Sequence, residues 1–115
     1  MKAYRIKDWD RYFEKADSRK CKNMKWVAVP NTHDTAGYAT LTQHPQFAEI
    51  YTAWILMLQV ASKMHVRGEL VNGKPLTAHS LAIRTRTKPE IFEVAFKVLA
   101  SPEIDWIEVF EWSSG

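Results

Sequence analysis

With 115 residues, 46% hydrophobic and 12% aromatic content and 25% charged residues, the chain has the make-up of one folded domain with a real core, which excludes a disordered tail. Its one cysteine, Cys21, excludes an intramolecular disulfide, and with no long apolar run at the N-terminal end the expected setting is reducing and intracellular. The net charge of +3 is unevenly spread, nine Lys/Arg against four acids in residues 1–25 and seven against nine in 26–115, so the basic character is N-terminal; such a segment suits phosphate or an acidic partner, or is simply a solvated helix face.

Ile6, Trp9, Tyr12, Phe13 and Ala16 recur at spacings of three and four, which predicts a first helix over about 7–17 with these residues along one stripe. A basic connector, 18–25, follows, and then Trp26, Val27, Ala28 and Val29 read as a short strand stopped by Pro30. Residues 31–38, NTHDTAGY, are rich in side chains that bond their own backbone, predicting a loop, with 38–42 extended. From Phe47 to Met64 apolar residues occupy both sides of a helical pattern. Glu49, Gln59 and Lys63 interrupt the run, which falls short of the roughly 20 apolar residues of a membrane span, so a buried core helix is expected instead.

Residues 68–71 are a strand candidate, and Asn72-Gly73 before Lys74-Pro75 is a strong turn signal. Thr77 suits the cap of a short helix to about Thr85 with Leu81 and Ala82 inward, joined there by Ile83. Thr87-Lys88-Pro89-Glu90 fits a capping box opening a second helix. Its apolar set, Ile91, Phe92, Ala95, Phe96, Val98 and Leu99, runs to the stop at Ser101-Pro102. Residues 104–112 alternate imperfectly and read as an exposed strand. A strand, a turn, two helices around a tight turn and another strand make the core of a winged helix-turn-helix. The expected class is therefore α+β, mostly helical, with a small and incomplete wing sheet. We expect one domain over 1–115, with an N-terminal helix/strand extension over 1–45 and the helix-turn-helix core over 46–112. The wing strand has no successor to pair back on it before Gly115, and this predicts a longer protein of which the chain is the N-terminal part.

WVAVPNTHDTAGY (26–38), the Trp-bearing helix ending in VASKM, RGEL (67–70), GKPLT (73–77), LAIRT (81–85) and LASPEIDWIE (99–108) together resemble the N-terminal domains of phage and prophage replication proteins, the replisome organisers and DnaD-like primosomal proteins. The resemblance covers most of the chain; Asp105 stands where such proteins often carry Gly before the final Trp. It implies a winged-helix domain of a replication-initiation protein in the cytoplasm of a bacterial or phage-infected cell. Such a domain would bind DNA or self-associate, while a following region contacts helicase, a helicase loader or single strand.

A DNA-reading helix presents Arg, Lys, Asn or Gln near its N-terminus, yet the polar positions of the second helix are Lys88, Glu90, Glu93 and Lys97, a nearly neutral set. The turn before it is better suited: Arg84, Arg86 and Lys88 alternate beside a helix N-terminus. With Arg19, Lys20, Lys22 and Lys25, and with Lys97 further along, they are the candidate nucleic-acid residues, making nonspecific phosphate contacts if the fold brings them to one side; an exposed turn that happens to be basic explains them equally well. Among the tryptophans, Trp9 and Trp106 fit burial in a core or interface, and Trp112 is the one left for a partner. The unpaired edge of the terminal strand invites β-pairing between chains, hence a homo-oligomer. Two function classes stand side by side: a DNA-binding domain, and a protein-interaction or oligomerisation module with little direct contact to DNA. Catalysis is not expected, since Cys21, His33, Asp34 and Ser80 form no recognisable set. His33 with Asp34, and the isolated His44, His65 and His79, lack the spacing of metal ligands. Neither cofactor nor metal is expected, and no membrane partner.

Overall fold

The computed structural model describes residues 1–14 and 24–114. In chain order its elements are β1 (Lys2–Ile6), α1 (Trp9–Tyr12), α2 (Ala36–Thr42), α3 (Phe47–Ala61), α4 (Ala78–Thr85), α5 (Pro89–Leu99) and β2 (Ile107–Glu111). Among the described residues the result is an α+β fold, five helices with a two-stranded antiparallel sheet.

β1 is the element the helical spacing hid. Ile6 ends a strand instead of opening a helical stripe, and the helix after it spans only Trp9–Tyr12; Ala16 and Asp17 lie outside the described residues. β1 pairs with β2 along its whole length, from Lys2 opposite Glu111 to Ile6 opposite Ile107. On its other side the Ile6 N–H donates to the Gly68 carbonyl (2.7 Å), and the Tyr4 carbonyl accepts from the Leu70 N–H (2.9 Å). The backbone groups of β1 are thus engaged on both sides, while Ala3 and Ile6 go into the core and Tyr4 lies flat on Phe96 of α5, ring centroids 4.2 Å apart. The expected strand at 68–71 is reduced to these bonds and two isolated bridges, Glu69 to Arg5 and Val71 to Pro75.

The core is built around α3. Ile50, Ala53, Trp54, Met57, Leu58 and Ala61 are buried along it, Leu56 and Ile55 half-buried, and only Ala48, Glu49, Thr52 and Gln59 fully face outward. α5 packs on α3 and α4 packs on α5, bringing Phe92, Leu99 and Leu81 to zero exposure; each such side chain contributes roughly 1.5–3 kcal/mol on burial.

The termini of the helices follow local chemistry, and four readings in these segments depart from expectation. Thr35 caps α2, its Oγ1 accepting from the Tyr38 N–H at 3.2 Å, so 38–42 is helical where an extended stretch was expected. Residues 26–29 form no strand; β1 is engaged by β2 on one side and by the Gly68 and Leu70 backbone on the other. α5 begins one residue later than the capping box predicts. Its N-cap is Lys88, in an extended conformation with no side-chain cap bond, and Pro89 takes the first helical position, because proline disfavours the helical region for the residue before it and has no N–H to satisfy. Thr77 does cap α4 as expected, reciprocally with Ser80, but Ile83 turns outward and is 65% exposed.

Candidate nucleic-acid interface

The turn between α4 and α5 sorts its side chains by alternation. Thr85 and Thr87 are half-buried and share a hydroxyl hydrogen bond of 2.8 Å, with Thr85 Oγ1 also donating to the Leu81 carbonyl. That leaves Arg84, Arg86 and Lys88 exposed. Arg86 closes α4 in the left-handed region, φ 59°, where its N–H donates to the Ala82 carbonyl. Left-handed backbone is uncommon for arginine, and here it lets the chain reverse within three residues while the guanidinium stays in water.

Arg84 does not stand alone. A cleft of about 250 Å³ runs between the last turn of α4 and the end of α3, lined by Arg84, Thr85, Gln59 and Lys63 among others. A second cleft of about 220 Å³ is lined by the same Gln59 and Lys63 together with Lys25, Trp26 and Ile55. The two meet at Gln59 and Lys63, an exposed pair four residues apart on one side of α3 and the residues just after it. The result is a continuous path from Lys25 through Lys63 to Arg84, and among the described residues no carboxylate lines either cleft. The fold thus brings Lys25 of the basic connector and Arg84 of the turn to one surface. The link between them is Lys63, which sequence reasoning noticed only as an interruption of an apolar run; its spacing of four from Gln59 was the available signal.

The remaining candidates divide. Arg86 and Lys88 are exposed on the turn that continues from Arg84. Lys97 is exposed in the last turn of α5, nine residues beyond Lys88 and so about half a turn around the helix from it. Its place there is favourable to the helix dipole whatever it binds. Arg19, Lys20 and Lys22 lie outside the described residues. Along α5 the positions Lys88, Glu90, Glu93 and Lys97 are all exposed, so its outward face is nearly neutral.

A larger cleft, about 430 Å³, lies on another part of the molecule, with Trp54, Trp106 and Phe13 in its lining. Lys7 forms an ion pair with Asp105 at this cleft, and that hydrogen bond holds the Lys7 amine above its ordinary value. Asp8, Asp105 and Glu103 outnumber the one lysine, which is the wrong balance for phosphate.

The tryptophans sort differently from the sequence expectation in one respect. Trp9 is buried, its indole N–H donating to Glu14 at 3.1 Å, and Trp106 packs on Trp54 with ring centroids 5.2 Å apart. Trp112 is half-buried and its backbone N–H donates to the Met1 carbonyl. The tryptophan left in the open is Trp26, 84% exposed. Among the described residues no three of His, Cys, Asp and Glu gather as a metal-binding group, and no helix is long and apolar enough to cross a membrane. Neither a protein-family model, nor a curated protein, nor a solved structure matches the chain.

Proposed function

We propose that the chain is a DNA-binding domain of the winged-helix type, holding the phosphate backbone without reading sequence, in a protein that initiates replication in the manner of the phage replisome organisers. The observation that carries this reading is the path from Lys25 through Lys63 to Arg84, which no carboxylate lines among the described residues. Cations aligned along a groove displace condensed counterions from a phosphate chain, and that release supplies sequence-independent affinity. The neutral outward face of α5 argues in the same direction, because two glutamates would meet phosphate oxygens if that helix entered a groove. The winged-helix reading is supported by the order of α4, a tight turn, α5 and β2, and by β1, which supplies the strand that a wing needs beside β2. The replication setting rests on the resemblance alone.

Fluorescence anisotropy with labelled oligonucleotides over a salt series tests the proposal. Each phosphate contact contributes about 0.7 to 0.9 to the slope of log affinity against log salt. Replacing Lys25, Lys63 and Arg84 together by Glu should therefore lower the slope by roughly 2 to 3. Binding and slope unchanged in that variant would reject this surface.

A second reading, self-association, is favoured by the outer edge of β2. Among the described residues β2 pairs only with β1, and Val109 on it is 46% exposed. An open edge of this kind templates pairing with another chain. Light scattering at micromolar concentration distinguishes it, a monomer throughout counting against it.

A further inference from the structure

We propose that Trp26 is a stacking platform for an unpaired base, which makes single-stranded nucleic acid, in preference to duplex, the ligand of the Lys25–Lys63–Arg84 path. The inference rests on the phosphate-binding reading above and adds the kind of strand. A tryptophan side chain carries more apolar surface than any other and is seldom left in water; in this chain Trp9 and Trp54 are 6% and 4% exposed, against 84% for Trp26. The exposure does not come from a segment that fails to pack. Met24 and Val27, on either side, are packed against the core, so the backbone is anchored at both sides of Trp26 while the indole stands out between them.

What surrounds the ring decides the partner. Lys25 precedes it in the chain and Lys63 shares its cleft, with no carboxylate among the described lining residues. An apolar partner surface would gain nothing from these two ammonium groups and would have to desolvate them. A single strand offers both things the site asks for, a flat π face for the indole and a phosphate beside it for each lysine. A duplex offers only the second, because its base faces are covered by their neighbours and only edges open to the grooves. No Arg, Asn or Gln stands on the outward face of α5 to read those edges.

The test compares the 115-residue chain with Trp26→Ala, Trp26→Phe and Lys63→Glu by anisotropy. The probes are a labelled oligothymidylate of roughly 20 nucleotides, long enough to cover such a site, and a duplex of about the same length. Trp26→Ala should weaken single-strand binding about tenfold with the salt slope unchanged, since the ring carries no charge, and should leave duplex binding within about twofold. Trp26→Phe should recover most of the loss. If Lys63→Glu weakens binding and lowers the slope but Trp26→Ala changes nothing, or weakens both probes equally, the stacking inference is overturned while the phosphate reading stands. If neither probe binds at low salt, both fall. An oligoglutamate peptide that displaces the oligothymidylate at equal charge concentration would overturn the assignment to bases in favour of an acidic protein segment.

Discussion

Asp105 shows how much a single backbone position can ask of a residue. Its φ is 58°, and the turn it closes is fixed by its own N–H on the Ser101 carbonyl (2.8 Å) and by the Trp106 N–H on the Leu99 carbonyl (2.9 Å). Glycine adopts that conformation without penalty, and aspartate tolerates it better than most residues. Asp105→Ala should therefore be less stable than Asp105→Gly by about 1 kcal/mol, read as a difference in urea midpoint at constant m-value. The carboxylate also holds Lys7. Because the folded pKa of Lys7 is raised, its contribution is fully present below the ordinary value of 10.5 and is lost as pH rises through the folded value. Lys7→Met should accordingly flatten the alkaline limb of the stability profile and leave the acid limb in place. Gly68 is the stricter case. Its φ is +97°, and a Cβ there would lie 2.6 Å from Cγ of Trp9. That indole is held by Glu14, whose carboxylate also meets Arg67 at 2.8 Å, so the ring cannot simply move away. Gly68→Ala should cost about 3 kcal/mol, overpacking added to left-handed strain, measured by the same denaturation.

At the scale of elements, what could be read from the sequence and what could not have the same cause. α3 was legible from the length of its apolar run, and α4 and α5 because their apolar residues recur at helical spacing behind a capping Thr77 and an opening Pro89. β1 was not, because Ile6, Trp9 and Phe13 are spaced for a helical stripe and are also the residues that a strand followed by a short helix buries. Both foldings put the same side chains inside, so the pattern is degenerate; the choice is made by β2, a hundred residues on, which no local window sees. Residues 26–29 erred the other way, having strand-like composition but pairing with no strand among the described residues. The pairing of β1 should be energetically central. Ile6→Ala removes a fully enclosed side chain opposite Ile107 and should cost about 3 kcal/mol. If the loss is under about 1 kcal/mol, as for an exposed strand, β1 is an appendage and not part of the core.

Over the whole molecule, the net charge of +3 says less than the arrangement that Lys25, Lys63 and Arg84 adopt. They belong to a connector, to the residues just after α3 and to the last turn of α4, and the sequence gives no reason to group them; packing of the helices does. Lys97, which composition places on an equal footing, sits at the far end of α5 from the basic turn. The two lysines therefore make a matched comparison, one charge reversed at a time. Lys63→Glu should lower the salt slope for single strands by about 0.7, one phosphate contact. Lys97→Glu should leave the slope unchanged, costing instead a few tenths of a kcal/mol in stability, because it sets a negative charge in the last turn of a helix. Both proteins carry the same net charge, so a response to overall charge would move them together, whereas a response to the path moves only the first. Equal losses of slope would place the nucleic acid along α5 and displace the groove at Lys63 as the contact surface.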